Sequence, residues 1–171
     1  MIVRSVKITL FSALLILMVS FCAEEKVSPI EHVDADQVRN AVGSKSGNVV
    51  LVNMWATWCD PCVEEFPDIV DLYNRYKDSG LEVITVSFDF EEQIETKLIP
   101  FLAEQNADGF LNYFKNEDID DNKFIDGFDP DWSGAIPVTF LYDRQGNRQM
   151  IKHGRFDRTE LEKKIIELLG N

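Results

Sequence analysis

The hydrophobic pattern divides the chain into an apolar head and a longer body in which strand-like and helix-like stretches alternate. From Ile8 to Ala23 no residue is charged, and the run ITLFSALLILMVSF is almost wholly apolar. Arg4 and Lys7 precede it, and Glu24-Glu25-Lys26 end it. The run is short for a membrane span, which needs ~20 apolar residues, and it suits the apolar region of an export signal behind a positive flank. Residues 1–23 therefore read as a signal or membrane-anchor segment. Residues 24–29, closing on Ser28-Pro29, read as a tether, and 30–171 as one domain.

In the body, Ile30–Val33 is a brief apolar piece. Asp34 is placed to cap a helix that runs to about Val42 and ends at Gly43. NVVLVNMWA, rich in β-branched and apolar residues, predicts a buried strand. From Asp60 to Asp78 the apolar positions Cys62, Phe66, Ile69, Val70, Tyr73 and Tyr76 share one helical face, with Gly80 as the stop. LEVITVSF predicts a second central strand. Ile94, Leu98, Phe101 and Leu102 predict a helix bent or restarted at Pro100. Residues 107–133 hold no sustained period and are expected to be irregular, with one short helix in NEDIDDNKFIDGFDP. Two strand-like runs then flank the turn cluster Asp143–Asn147, a β-hairpin, and Asp157 or Thr159 starts a last amphipathic helix through Leu169. The alternation, with a closing hairpin and helix, predicts an α/β domain whose mixed sheet is covered by helices on both faces.

Composition narrows the partners. The chain is 45% hydrophobic and 11% aromatic, enough for an ordinary core. Its formal charge is −13 and its Lys and Arg residues do not cluster, which disfavours nucleic acid. Asp118, Asp120 and Asn122 have the first spacings of a calcium loop. However, Lys123 stands where that loop needs glycine and Asp129 where it needs glutamate, so a solvated acidic face is the better reading.

The chemistry lies in the cysteines. Cys22 closes the apolar head in VSFC, which resembles a bacterial lipoprotein signal, although Phe21 stands where a small residue is usual. Lipidation of Cys22, an uncleaved anchor and ordinary cleavage nearby all stay open. Each carries the body to a disulfide-permissive compartment. Cys59 and Cys62 lie in NMWATWCDPCVEEFP. A C-x-x-C pair alone is ambiguous among zinc, haem attachment, a structural bridge and redox work. Zinc needs about four ligands, and haem attachment needs His directly after the second Cys, where Val63 stands. His32 and His153, the two histidines, lack ligand spacing. A bridge closing so short a loop would constrain the unfolded chain little.

The redox reading has positive support. The pair sits where a buried strand gives way to a helix, whose first-turn N–H groups and dipole favour an anion. Cys59 is expected at the exposed end as the thiolate, and Cys62, one turn inward, as the shielded partner. Pro61 suits the first helical turn. Asp60 adds a negative charge beside the thiolate. Glu65, three residues beyond Cys62, shares its face toward Phe66 and Ile69, whereas Glu64 should point to solvent. A carboxyl against apolar surroundings has its pKa raised, as a proton carrier near neutral pH requires.

The stretch VVLVNMWATWCDPCVEEFP resembles the active-site segment of the thioredoxin superfamily, in particular its exported TlpA/ResA-like branch of thiol-disulfide oxidoreductases. GAIPVTFLYDRQG resembles that family's cis-proline loop, with Pro137 as the cis residue. The resemblance runs from about Ser46 to the end. It implies a thioredoxin-like fold with an insertion, residues 110–134, before the cis-proline loop. Cys59, Cys62 and Glu65 would be catalytic. Trp58, Asp60, Pro61, Ile136 and Pro137 would form the substrate-facing surface. No cofactor is implied. The implied partners are exported thiol or disulfide proteins and an upstream membrane electron donor, for a monomer held outside the cytoplasm. Asn53 departs from the pattern, standing where other thioredoxins carry a buried aspartate that assists proton transfer. Two other activities fit the same fold less well. A peroxidase would have a Thr or Ser at Ala56, and a copper-delivery module a wider cysteine spacing and a well-placed histidine.

Overall fold

Residues 30–170 are described by a computed structural model, and the expected leader with Cys22 and the tether lie outside the described residues. A three-residue strand, β1 (Glu31–Val33), leads into α1 (Ala35–Ser44). Asp34 caps α1 reciprocally: its carboxylate accepts from the Gln37 N–H at 2.7 Å, and Gln37 Oε1 accepts from the Asp34 N–H at 2.8 Å. The helix outlasts its expected stop. Gly43 stays helical and the left-handed turn falls at Gly47, with φ 95°.

The buried run forms β2 (Val49–Trp55), hidden at all seven positions. It is followed by α2 (Asp60–Tyr76) and β3 (Leu81–Ser87), joined by a tight turn ending at Gly80, φ 101°. Glu91–Leu98 winds irregularly, ending in a π-helical turn, and α3 (Ile99–Glu104) begins with Pro100 in its first turn, the restart that the proline predicts. After it come β4 (Leu111–Lys115), α4 (Asp121–Phe128), β5 (Val138–Tyr142), β6 (Arg148–His153) and α5 (Arg158–Leu169), the last capped by Asp157.

The strand β4 corrects the expectation that residues 107–133 are irregular. Of its residues only Phe114 and Lys115 are buried, and Asn112 and Lys115 interrupt the apolar run. Its place comes from pairing on both edges, in parallel with β3 (Ile84↔Leu111 through Ser87↔Phe114) and with β1 (Glu31↔Tyr113 through Val33↔Lys115). Such pairing between distant segments leaves no local period to read. In α4 and after it, the acidic residues of the rejected calcium loop have other work: Asp120 caps α4 through the Lys123 N–H, and Asp129 pairs with Arg148 at 3.1 Å.

The sheet order is β1-β4-β3-β2-β5-β6, parallel from β1 to β2 and antiparallel across β5. Steps from β2 to β3 to β4 move one way across the sheet and the step from β1 to β2 moves the other. Right-handed crossovers therefore put α2 and α3 on one face and α1 on the opposite one. Two cores result. Val49, Leu51 and Trp55 of β2 pack with α2, α3 and α5, while Val50, Val52 and Met54 pack with α1 and α4. Asn53 is the polar break in the first of these rows.

Candidate redox site

The chain leaves β2 at Trp55, and Trp55, Thr57 and Trp58 are held to the residues just after β3. The Phe88 N–H donates to the Trp55 carbonyl at 2.8 Å, and the Trp58 indole N–H donates to the Phe88 carbonyl at 3.3 Å. Between them the Thr57 N–H donates to both oxygens of Asp89 at 3.1 Å, and its hydroxyl donates to the same carboxylate. The Ser87 hydroxyl adds a bond at 2.6 Å. Asp89 is buried, 3% exposed, and among the described residues it has no ion-pair partner, so these neutral donors replace its water. Sequence reasoning missed Asp89. The signal is its register: Trp55 pairs with Ser87, which places Asp89 beside the loop that carries the cysteines.

Cys59 is the N-cap of α2, and its carbonyl accepts from the N–H groups of Cys62 and Val63 at 2.9 and 3.0 Å. The two sulfurs are joined in a disulfide. The expected order of exposure holds, but its size does not: Cys59 is only 6% exposed and Cys62 1%. Trp58, the residue before Cys59, is 49% exposed, and Ile136 packs against the cluster that contains both cysteines. Asp60 and Pro61 face solvent. The Ile136–Pro137 bond is cis, and Pro137 receives the Gly154 N–H on its carbonyl at 2.9 Å. Trp58 and Ile136 line one groove of about 450 Å³ with Phe88 and Phe90.

Three residues beyond Cys62 on α2 lies Glu65, 1% exposed. One carboxyl oxygen accepts from Asn53 Nδ2 at 3.1 Å and the other from the Phe156 N–H at 3.3 Å. Asn53 Nδ2 also donates to Thr139 Oγ1 at 3.0 Å, across the pairing of β2 with β5. Burial drives the Glu65 pKa up to about 7, against the pull of the Asn53 and Phe156 hydrogen bonds and the Arg155 charge. Glu64 faces solvent and pairs with Arg155 at 2.6 Å. Two consecutive residues of α2 thus carry one carboxyl into the core and the other to the surface. The histidines stand elsewhere: His32 packs on Phe114 at 4.9 Å, and His153 is exposed at the end of β6.

A mixed sheet, a C-x-x-C disulfide opening the helix after a central strand, and a cis-proline leading into the neighbouring antiparallel strand define a thioredoxin-like protein. The chain belongs to the AhpC/TSA family, whose model matches residues 23–150. It is similar to the thiol-disulfide oxidoreductase ResA of Oceanobacillus iheyensis, 31% identical over 129 residues, 75% of this chain and 62% of that protein. The alignment thus spans less than two thirds of the ResA relative. Thioredoxin-like protein YneN of Bacillus subtilis is 31% identical over 128 residues, 74% of this chain and 69% of that one. A solved structure from Chlorobium tepidum, provisionally assigned as a thiol:disulfide interchange protein DsbE, superposes with a TM-score of 0.57. It is 29% identical and covers 74% of this chain and 84% of its own.

Proposed function

We propose that the chain is a thiol-disulfide oxidoreductase that exchanges its Cys59–Cys62 pair with protein partners outside the cytoplasm, chiefly as a reductase. The observation that carries this reading is the bonded pair at the start of α2, with Cys62 fully covered and Glu65 buried three residues further along the same helix. In the reduced form the Cys59 thiolate attacks one sulfur of a partner disulfide, and the other partner sulfur leaves as a thiolate. Cys62 then attacks Cys59 Sγ, which closes the internal disulfide and frees the first partner sulfur as a thiolate. The partner gains two electrons and two protons. Glu65 takes the Cys62 proton, and Trp58, Asp60, Pro61, Ile136 and Pro137 meet the partner chain. The names of the relatives above support the activity.

A peroxidase is less well served, because Ala56 offers no hydroxyl beside Cys59, and a copper carrier would need ligands beyond the bonded pair. Reduction of insulin disulfides by the dithiol form, run beside a copper titration, is the test. Catalytic turnover with at most weak copper binding is the expected result, and tight copper binding without turnover overturns the proposal.

The leader reading completes the proposal: residues 1–23 export the domain, and residues 24–29 tether it near the outer face of the membrane, with Cys22 as the lipidation site. Mass spectrometry of the native N-terminus is expected to find a lipidated Cys22. A chain retaining Met1 in the cytoplasm overturns export, and an unmodified N-terminus beyond Cys22 overturns lipidation alone.

A further inference from the structure

Resting on the exchange activity proposed above, we infer that the groove beside the disulfide selects cationic partners: an extended protein segment carrying Lys or Arg next to its reactive cysteine. The groove has an aromatic floor. Trp58 and Phe90 are 49% and 52% exposed, they are the large apolar side chains most open to solvent among the described residues, and both line this one groove. Exposed apolar surface confined to one place beside a reactive centre marks where another molecule sits.

The charge in the groove decides what that molecule is. The groove's charged residues are Asp89, Glu117, Asp121 and Lys115, and Asp89 is buried and already held by Thr57 and Ser87. The single cation is spent internally: the Lys115 side chain is 8% exposed, and Nζ is held by Asp121 at 2.6 Å and by the carbonyls of Ile119 and Asn116 at 3.1 and 3.4 Å. Asp121 keeps 75% of its side chain in solvent, and Glu117 is exposed with no cation within salt-bridge distance among the described residues. An incoming segment therefore meets open carboxylates and a buried ammonium. A Lys or Arg side chain satisfies both parts of the groove, laying its aliphatic stem and positive head over the aromatic faces while the head reaches the carboxylates. A purely apolar segment would cover the aromatics and leave the carboxylates poorly hydrated. An acidic segment would be repelled by these carboxylates and by a chain whose formal charge is −13.

The test uses the reduced protein and three short peptides that share one intermolecular disulfide and differ only in the residues flanking the cysteine: Lys, Gln or Glu. Rates of thiol exchange are taken relative to a small uncharged disulfide. The expected order is Lys, then Gln, then Glu, with about tenfold between the extremes at low salt, shrinking to about twofold near 0.5 M salt. Glu117→Lys is expected to flatten or reverse the order, whereas Glu104→Lys, an equal charge change at an exposed position of α3, keeps it. Equal rates for the three peptides overturn the inference and leave exchange intact. An unchanged order in Glu117→Lys removes Glu117 from the recognition. Failure to react with any disulfide, the uncharged one included, overturns the activity on which the inference rests.

Discussion

Replacing Cys59 with serine is expected to reduce disulfide exchange to the uncatalysed rate, whereas replacing Cys62 is expected to leave a protein that still attacks its partners and stays joined to them. The asymmetry follows from where α2 places the sulfurs. Cys59 caps a helix of 17 residues, where unpaired N–H groups and the helix dipole stabilise a thiolate. Cys62, with 1% exposure, cannot meet an outside disulfide, but it lies within bonding reach of Cys59. In Cys62→Ser the mixed disulfide therefore has no internal thiol to resolve it. Non-reducing electrophoresis and mass spectrometry should find covalent adducts through Cys59 in this variant and none in Cys59→Ser. Adducts in Cys59→Ser instead would exchange the two roles.

Glu65 produces the second large effect, on stability as well as on rate. Its pKa rises from 4.5 in the unfolded chain to about 7 in the folded protein, chiefly because burial strips water from the ionised form. Between those two values the folded state holds the proton more often than the unfolded state does. Its contribution is fully present below the unfolded value and is lost as pH rises through the window, on the order of 3 kcal/mol across it. Glu65→Gln keeps the shape and removes the titration. The variant is expected to match the parent near pH 4.5 and to exceed it in urea stability at pH 8, while resolving mixed disulfides more slowly. Glu64→Gln loses only an exposed ion pair with Arg155, worth about 1 kcal/mol or less, and leaves Glu65 in place. Parallel stability curves for the parent and Glu65→Gln would mean that Glu65 is not buried in its charged form.

Asn53 fits this scheme where an aspartate would not. An amide presents a donor on one side and an acceptor on the other, so Asn53 can serve either protonation state of Glu65: Nδ2 toward the carboxylate, or Oδ1 toward the carboxylic acid after a half-turn. The Thr139 hydroxyl, donor and acceptor alike, accommodates both orientations. A second carboxylate in that place would repel the ionised form of the first.

The helix that carries the site was legible because its cause is local. Six apolar positions on one face of α2, with Pro61 in its first turn, fix which way Cys62 and Glu65 point, and the spacing of three residues between them states that they share a side. The strand β2 announced itself by β-branched residues that need no partner to be recognised. What escaped the sequence depends on segments that meet only in the fold. Asp89 is one acidic residue among many until β3 pairs with β2 and brings it to Thr57. The Asn53 contact with Glu65 needs β2 and α2 packed together. The strand β4 owes its extended form to two neighbours, one of them some 80 residues earlier in the chain. The low exposure of Cys59, 6%, has the same cause: Ile136, which packs against its cluster, lies far along the chain, before β5.

The stretch between β4 and β5 separates what this fold is free to change from what it must keep. Its outward residues, Glu117 and Asp121, touch the groove and little else of the core. Its inward ones, Phe124, Phe128 and Trp132, plug the second core against Phe88 and Phe140, with ring centroids 5.3–6.1 Å apart. At Gly127 a Cβ would lie 2.6 Å from that of Ala35, so α4 can approach α1 only with glycine there. A descendant lineage that keeps those three rings and that glycine can rewrite the intervening surface and court a different clientele, while Cys59, Cys62 and Glu65, all carried at the start of α2, pass unaltered from one to the next.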